Sequence, residues 1–287
     1  MLCILTLLVL SLIPSSESFG NTFVRKLGQA PFIVAHGGCK HLFPENTMVA
    51  FDGAVALGVD MLEMDICLTA DGVLVAHHDA CLERTSDGHG QIRDYDLKAL
   101  RRFNFGAKFP GLDKSYPYRS QKVGITTCEE ILLKYGQMKR MLIEIKPIDE
   151  EGRRCADKLE ELLRNTGMEQ HVVVSSFDDE IVRYFRKISK GRVVTAMGYY
   201  NARWFVLLNK LGLTFLWQGK DRSLQLPLRS GIWRLDRESI IRSAHRLGIS
   251  VYYWTVNDPE TMLRLWELGA DGIITDRPDR VPAEFFF

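Results

Sequence analysis

From residue 32 onward the chain alternates short apolar runs with stretches whose apolar residues recur at helical spacing, and this alternation is its main structural signal. Phe32-Ile33-Val34-Ala35 is a continuous apolar run, the pattern of a strand buried on both faces. A helix is expected after Pro44-Glu45-Asn46-Thr47, with Met48, Phe51, Val55 and Ala56 on its apolar face and Gly58 ending it. Strands are predicted at 59–66 and 73–76, a helix at 128–135, a strand at 140–146 that Pro147 helps to end, and a long amphipathic helix over 151–164. A strand at 171–176, a helix at 179–188 and a strand at 192–197 continue the series. In 199–234 the pattern is weaker, with Phe205-Val206-Leu207-Leu208 reading as helical and 213–217 as a strand. A helix over 237–247, a strand over 249–256, a helix over 259–268 opened by Asp258 and a last strand at 272–275 complete it. About eight such units without an internal linker predict an α/β protein, a single (β/α)8 TIM barrel.

One stretch interrupts the rhythm. Residues 80–127 are rich in Gly, Asp, Arg and aromatics, with one short helix expected near 97–103. They read as a segment inserted after the third strand-like run, either a cap that shapes access to the active face or a solvated excursion. Phe103, Phe105 and Phe109 within it suit a lipid tail or the insertion's own small core. At the other end, the aliphatic run from Leu2 to Leu12 followed by Pro14-Ser15-Ser16-Glu17-Ser18 reads as a signal peptide over 1–18, leaving 19–287 as the barrel. An exported protein is then expected, with an uncleaved membrane anchor as the alternative.

Composition narrows the function by exclusion. With 37 basic against 36 acidic residues and 46% hydrophobic content, the chain has the character of neither a nucleic-acid binder nor a disordered protein. Cleavage would leave Cys39, Cys67, Cys81, Cys128 and Cys155, scattered without the spacing of a zinc site.

Acid/base and metal-grade residues concentrate between Ile33 and Asp79, as His36-Gly37-Gly38, Glu63-Met64-Asp65 and His78-Asp79. Positions two apart share a face of a strand, so Glu63 and Asp65 point the same way. Two adjacent buried carboxylates repel, which makes sense with a divalent cation between them. On a barrel the strand C-terminal ends converge, so His36, Glu63, Asp65, His78, Glu144, Lys146 and Trp254 are expected to meet. Three carboxylates suit one hard cation, Mg²⁺ or Ca²⁺. Two histidines suit the general acid and base of a hydrolysis. Lys146, two residues beyond Glu144, is placed to meet an anionic substrate oxygen. His77 points away from His78 by alternation and reads as structural, and Trp254 is either barrel filling or a wall for an apolar substrate part.

The run Ala35-His36-Gly37-Gly38, Pro44-Glu45-Asn46-Thr47, Glu63-Met64-Asp65, His78-Asp79 and Leu82-Glu83-Arg84-Thr85 resembles the glycerophosphodiester phosphodiesterase family. Glu144-Ile145-Lys146, Ser175-Ser176-Phe177, Trp254-Thr255-Val256-Asn257 and Gly272-Ile273-Ile274-Thr275-Asp276-Arg277-Pro278 continue that resemblance in order. It implies a barrel enzyme that hydrolyses glycerophosphodiesters to glycerol phosphate and an alcohol. By this likeness Glu63, Asp65 and Glu144 hold the metal and His36 and His78 form the acid/base pair. Lys146 faces the phosphate, and Glu45 and Asn46, in the family's Glu-Asn-Thr, are expected to order the site; both are counted with Trp254 and Lys146 as substrate-binding residues. Related barrels act on lysophospholipids in the manner of a phospholipase D, which is the alternative substrate class, and membrane contact is compatible with it but not required. The family's usual His-Arg-Gly is here His36-Gly37-Gly38, so an arginine expected at the phosphate is missing. That departure leaves room for a barrel that binds phosphodiesters or a partner without turnover.

Overall fold

The computed structural model describes residues 21–26 and 28–286, so the leader read at 1–18 lies outside the described residues. The strands are β1 (Phe32–Ala35), β2 (Met61–Leu68), β3 (Leu74–Ala76), β4 (Arg140–Ile145), β5 (Val172–Ser175), β6 (Val194–Thr195) and β7 (Ser223–Pro227). They continue with β8 (Arg229–Ser230), β9 (Trp233–Arg234), β10 (Ser250–Trp254) and β11 (Gly272–Thr275). Hydrogen bonding runs in the order β6-β5-β4-β2-β1-β11-β10-β7, every neighbouring pair parallel. The ring closes between β6 and β7, where Ala196 lies opposite Ser223 in a parallel bridge. Met197 N–H donates to Ser223 O at 2.9 Å and Arg222 N–H to Thr195 O at 3.0 Å across that seam. Such parallel connections need crossover helices, which gives the α/β barrel.

The helices are α1 (Met48–Ala56), α2 (Leu97–Leu100), α3 (Cys128–Tyr135), α4 (Asp149–Thr166), α5 (Asp179–Ile188), α6 (Tyr199–Lys210), α7 (Glu238–Arg246) and α8 (Pro259–Leu268). Their ends follow local chemistry. Thr127 and Glu130 form a reciprocal capping box on α3, and Asp258 caps α8 ahead of Pro259. Gly167, at φ 67°, ends α4 in the left-handed conformation. The amphipathic α4 buries Cys155, Ala156, Leu159 and Leu163 against the sheet, at the three- and four-residue spacing of one helix face.

Three expectations are corrected. The run at 73–76 is a strand, but β3 pairs antiparallel with β2 and lies outside the barrel. Residues 213–217 hold a 3-10 turn, Thr214–Leu216, with Phe215 and Leu216 exposed, and the barrel strand is β7, ten residues later. In α1 the buried residues are Ala50, Phe51 and Ala54, whereas Ala56 is exposed.

The core has two layers and a satellite. Outward-facing residues of β2, Leu62, Met64, Ile66 and Leu68, join the helices in the main apolar layer. Inward-facing Val34, Met61, Leu142, Val173, Ala196, Tyr252 and Ile274 fill the barrel's lower half, with Phe23 beneath them. Tyr252 O–H donates to Phe23 O at 3.0 Å. After β3, Leu82, Ile92, Leu100, Phe105 and Ile125 form a small cluster with Cys67 and Val75, and Phe103 packs on it.

Candidate active site

The strand period of two carries each inward face from apolar filling to polar chemistry. Two residues beyond Val34 is His36; beyond Met61 come Glu63 and Asp65; beyond Leu142 come Glu144 and Lys146; beyond Ile274 comes Asp276. The apolar layer is therefore the floor of the site. Above it opens a cavity of about 940 Å³ lined by His36, Lys40, Glu63, His78, Glu144, Lys146 and Trp254, among others.

Asp65 lies directly opposite Glu144 in the β2–β4 register. Glu63, Asp65 and Glu144 each present a carboxylate oxygen within 4.8 Å of the other two. Burial, then the charge of Asp65, pushes the Glu63 carboxyl well above the usual range, and burial likewise raises Glu144. Burial also raises Asp65, but Lys146, His78 and the Asn46 amide outweigh it and hold it low. Lys146 Nζ lies 2.9 Å from Asp65 Oδ1 and 2.9 Å from Glu144 Oε1, and its hydrogen bond goes to Glu144. Buried Asp65 Oδ1 is met by the Lys146 ammonium. Three converging carboxylates, an oxygen-only and anion-rich donor set, fit a hard divalent cation. Lys146, raised by the two carboxylates against the effect of its own burial, stays protonated.

Both histidines are oriented through Nδ1 by an aspartate. His36 Nδ1 bonds Asp276 Oδ1 at 2.8 Å, while Asn257 Nδ2 donates to Asp276 Oδ2 at 3.0 Å. Burial raises the Asp276 carboxyl, but bonds from His36 and Asn257 and the charges of His36 and Lys40 bring it down to about 2. His78 Nδ1 bonds Asp79 Oδ1 at 2.6 Å. Arg84 then ties Asp79 to Glu45, donating from Nε at 2.5 Å to Asp79 and from both terminal nitrogens to the Glu45 oxygens at 2.8 and 2.6 Å. Asp276, Asn257 and Arg84 had no assigned role in the sequence reading. His77 is buried and spent, bonding Asp79 O at 2.7 Å and Thr85 Oγ1 at 2.9 Å.

Glu45 and Asn46 are both engaged with other side chains of the site. Asn46 is 2% exposed and grips Asp65 twice, Nδ2 donating to Oδ2 at 2.9 Å and Oδ1 accepting from the Asp65 N–H at 3.1 Å. Glu45 is taken up by Arg84. Both polar groups are committed to holding the polar residues around them. Trp254 is part of the cavity wall, with Phe177 edge-on at 5.9 Å.

Gly37 sits at φ 53° and donates its N–H to Glu63 Oε2 at 2.5 Å. A Cβ there would meet Glu45 and Asn46 at 3.5 and 3.6 Å, ordinary contacts, so only the left-handed backbone disfavours a side chain. The cations lining the cavity are Lys146, Arg203 and Lys40, whose Nζ is 3.3 Å from His36 Nε2.

Known proteins carry the same architecture. Bacillus subtilis YhdW is 30% identical over 86% of this chain and 95% of its own length. The glycerophosphodiester phosphodiesterase of Caldanaerobacter subterraneus is 29% identical over 86% of this chain and 94% of its own. Among solved structures, the glycerophosphoryl diester phosphodiesterase domain of a Mycobacterium tuberculosis protein superposes with a TM-score of 0.77 at 21% identity, covering 87% of this chain and 97% of that one. An Oleispira antarctica phosphodiesterase in complex with the product sn-glycerol-3-phosphate gives a TM-score of 0.67 at 22% identity, over 88% and 95% of the two chains. These likenesses span whole barrels rather than a shared fragment. A sequence model of the glycerophosphoryl diester phosphodiesterase family matches residues 36–280, and the chain belongs to that family.

Proposed function

We propose that this chain hydrolyses glycerophosphodiesters to glycerol phosphate and an alcohol, with one divalent cation, Mg²⁺ or Ca²⁺, held by Glu63, Asp65 and Glu144. The observation that carries the reading is one cavity containing two imidazoles, each oriented by its own aspartate, beside that carboxylate cluster and Lys146. The cation, when bound, offsets charge on the phosphate oxygens and withdraws electrons from phosphorus. The side chains do the rest. One histidine takes a proton from the attacking water as its oxygen bonds to phosphorus, and the other protonates the departing alkoxide as the ester P–O bond breaks. Asp276 and Asp79 hold the rings and stabilise each imidazolium, and Lys146 sets the phosphate against the cluster.

A second reading has its own observation. Away from the carboxylates the cavity wall has a large apolar part, built by Met197, Trp204, Leu207, Leu226 and Leu235, beside Arg203 and Gln225. A glycerophosphodiester has no apolar part to match it, whereas the acyl chain of a lysophospholipid does, which favours phospholipase-D-type hydrolysis of such lipids at the same centre.

Glycerophosphocholine, glycerophosphoethanolamine and lysophosphatidylcholine assayed side by side with Mg²⁺ and with Ca²⁺ test both. The expected outcome is cation-dependent turnover, lowered about 10² to 10⁴ fold in kcat by His36→Ala and by His78→Ala. If the pure protein binds the cation and turns over none of these substrates, it is a binding barrel and the proposal fails.

A further inference from the structure

Ile232, at the tip of the β8–β9 hairpin, is 94% exposed, and Tyr200 and Trp204 on α6 are 75% and 53% exposed. Trp233 is 40% exposed, and all four stand round the mouth of the cavity. Exposed Leu112, Leu133 and Met138 lie away from the cavity lining. A cluster of this kind at a site entrance marks a contact surface.

Charge says what it contacts. On α6 and the β8–β9 hairpin the chain holds Arg203, Lys210, Arg229 and Arg234 and no acid, and Asp236 just after the hairpin is 6% exposed and shared by Arg234 and Arg264. The exposed charge of this wall is therefore positive, although the whole chain carries only +1. Arg203 lies over the Tyr199 ring at 5.3 Å and Lys210 over Trp233 at 3.2 Å. Among the described residues Arg203, Lys210 and Arg229 have no carboxylate partner. An aliphatic tip, a belt of Tyr and Trp, and cations without counter-ions match the layers of an anionic bilayer surface. The tip enters the acyl boundary, the rings sit at headgroup level, and the cations meet lipid phosphates.

We propose that the α6 and β8–β9 wall docks on a bilayer bearing anionic lipids, so that the cavity opens onto the membrane surface. The inference concerns where the barrel works and stands whichever phosphodiester it hydrolyses. Insertion is shallow, since among the described residues no helix is long and apolar enough to cross a membrane.

The test uses the full chain and phosphatidylglycerol vesicles with brominated acyl chains, which quench a tryptophan only on close contact. Residues 1–20 contain no tryptophan, so the signal reports on the barrel even where the N-terminal apolar run also binds lipid. Quenching is expected at an apparent affinity at least about fivefold above that for phosphatidylcholine, and it is lost in molar salt, where the screening length is about 3 Å. Ile232→Glu and Arg229→Glu should each weaken it about fivefold or more, with an unchanged melting temperature showing that the fold is intact. Trp233→Phe should lower the fraction of fluorescence quenched. Equal quenching by zwitterionic vesicles, or full quenching in the Ile232→Glu, Arg229→Glu double variant, overturns the proposal. So does a dimer on sedimentation that Ile232→Glu dissociates while vesicles leave the fluorescence untouched, which would give this face to a second copy of the chain.

Discussion

Asp276 is the residue on which the orientation of His36 depends, and its side chain is only 5% exposed. Its carboxyl is depressed to about 2, below an unfolded value of about 3.9, so its ionisation stabilises the fold above pH 4. That stability, roughly 2 kcal/mol, is lost as pH falls from about 4 to about 2. Asp276→Asn should remove this acid-sensitive component, seen as a smaller loss of urea stability between pH 4 and pH 2.5. It should also lower kcat about 10² to 10⁴ fold, because an amide can donate to Nδ1 and fix the wrong tautomer. Wild-type kcat in Asp276→Asn would remove the residue from the mechanism. The pairing was hidden in the sequence because its partners are 240 positions apart. The signal that could have found it is barrel closure: β1 and β11 pair in parallel with Ala35 opposite Thr275, which sets the next residues, His36 and Asp276, side by side. By contrast, Glu63 with Asp65 and Glu144 with Lys146 were legible, since each pair is two apart on one strand and needs only the period of the pleat.

At the scale of elements, sequence periodicity located helices well where caps punctuate them, as at Thr127 and Asp258. It failed at β7, whose Ser-Leu-Gln-Leu-Pro puts polar Gln225 inside the barrel and ends in proline, while the more apolar 213–217 is a surface turn. Tertiary placement outweighs local composition there. The 199–234 segment as a whole reads poorly for a related reason, since its exposed aromatics serve the cavity mouth rather than the core. One strand position carries unusual weight. Gly272 on β11 lies so close to Tyr252 on β10 that a Cβ would stand 2.1 Å from the ring. Tyr252 is buried and anchored to Phe23 O, so the ring cannot swing aside without opening the barrel floor. Gly272→Ala should therefore destabilise the fold by about 3 kcal/mol, at the upper end for overpacking. Denaturant titration checks this, and a change below about 1 kcal/mol would show that the floor relaxes freely.

For the molecule as a whole, the barrel was legible because strand and helix alternate about eight times without a linker, and strand ends that carry chemistry, at His36, Glu63, Glu144 and Trp254, meet in one cavity. The same topology concentrates negative charge. Glu63, Asp65 and Glu144 converge within 4.8 Å above an apolar floor, with Lys146 as the cation in direct contact among the described residues. The folded chain therefore carries a repulsion that the unfolded chain does not, and a bound cation relieves it. A ligand present at about 100 times its dissociation constant adds about 2.7 kcal/mol to stability, which for a barrel of this size raises Tm by about 5 to 10 °C. Mg²⁺ or Ca²⁺ should produce that shift in scanning calorimetry, and a chelator should reverse it. Glu63→Gln separates this from a nonspecific salt effect, because the amide oxygen still accepts from Gly37 N–H while one charge of the cluster is gone. The variant should melt higher than wild type without metal, since the repulsion is reduced, and gain little when metal is added, since a ligand is lost. A variant that melts lower without metal, or a wild type whose Tm ignores both cations, would mean that Lys146 alone balances the cluster and that the pocket is an ion-pair network rather than a metal site.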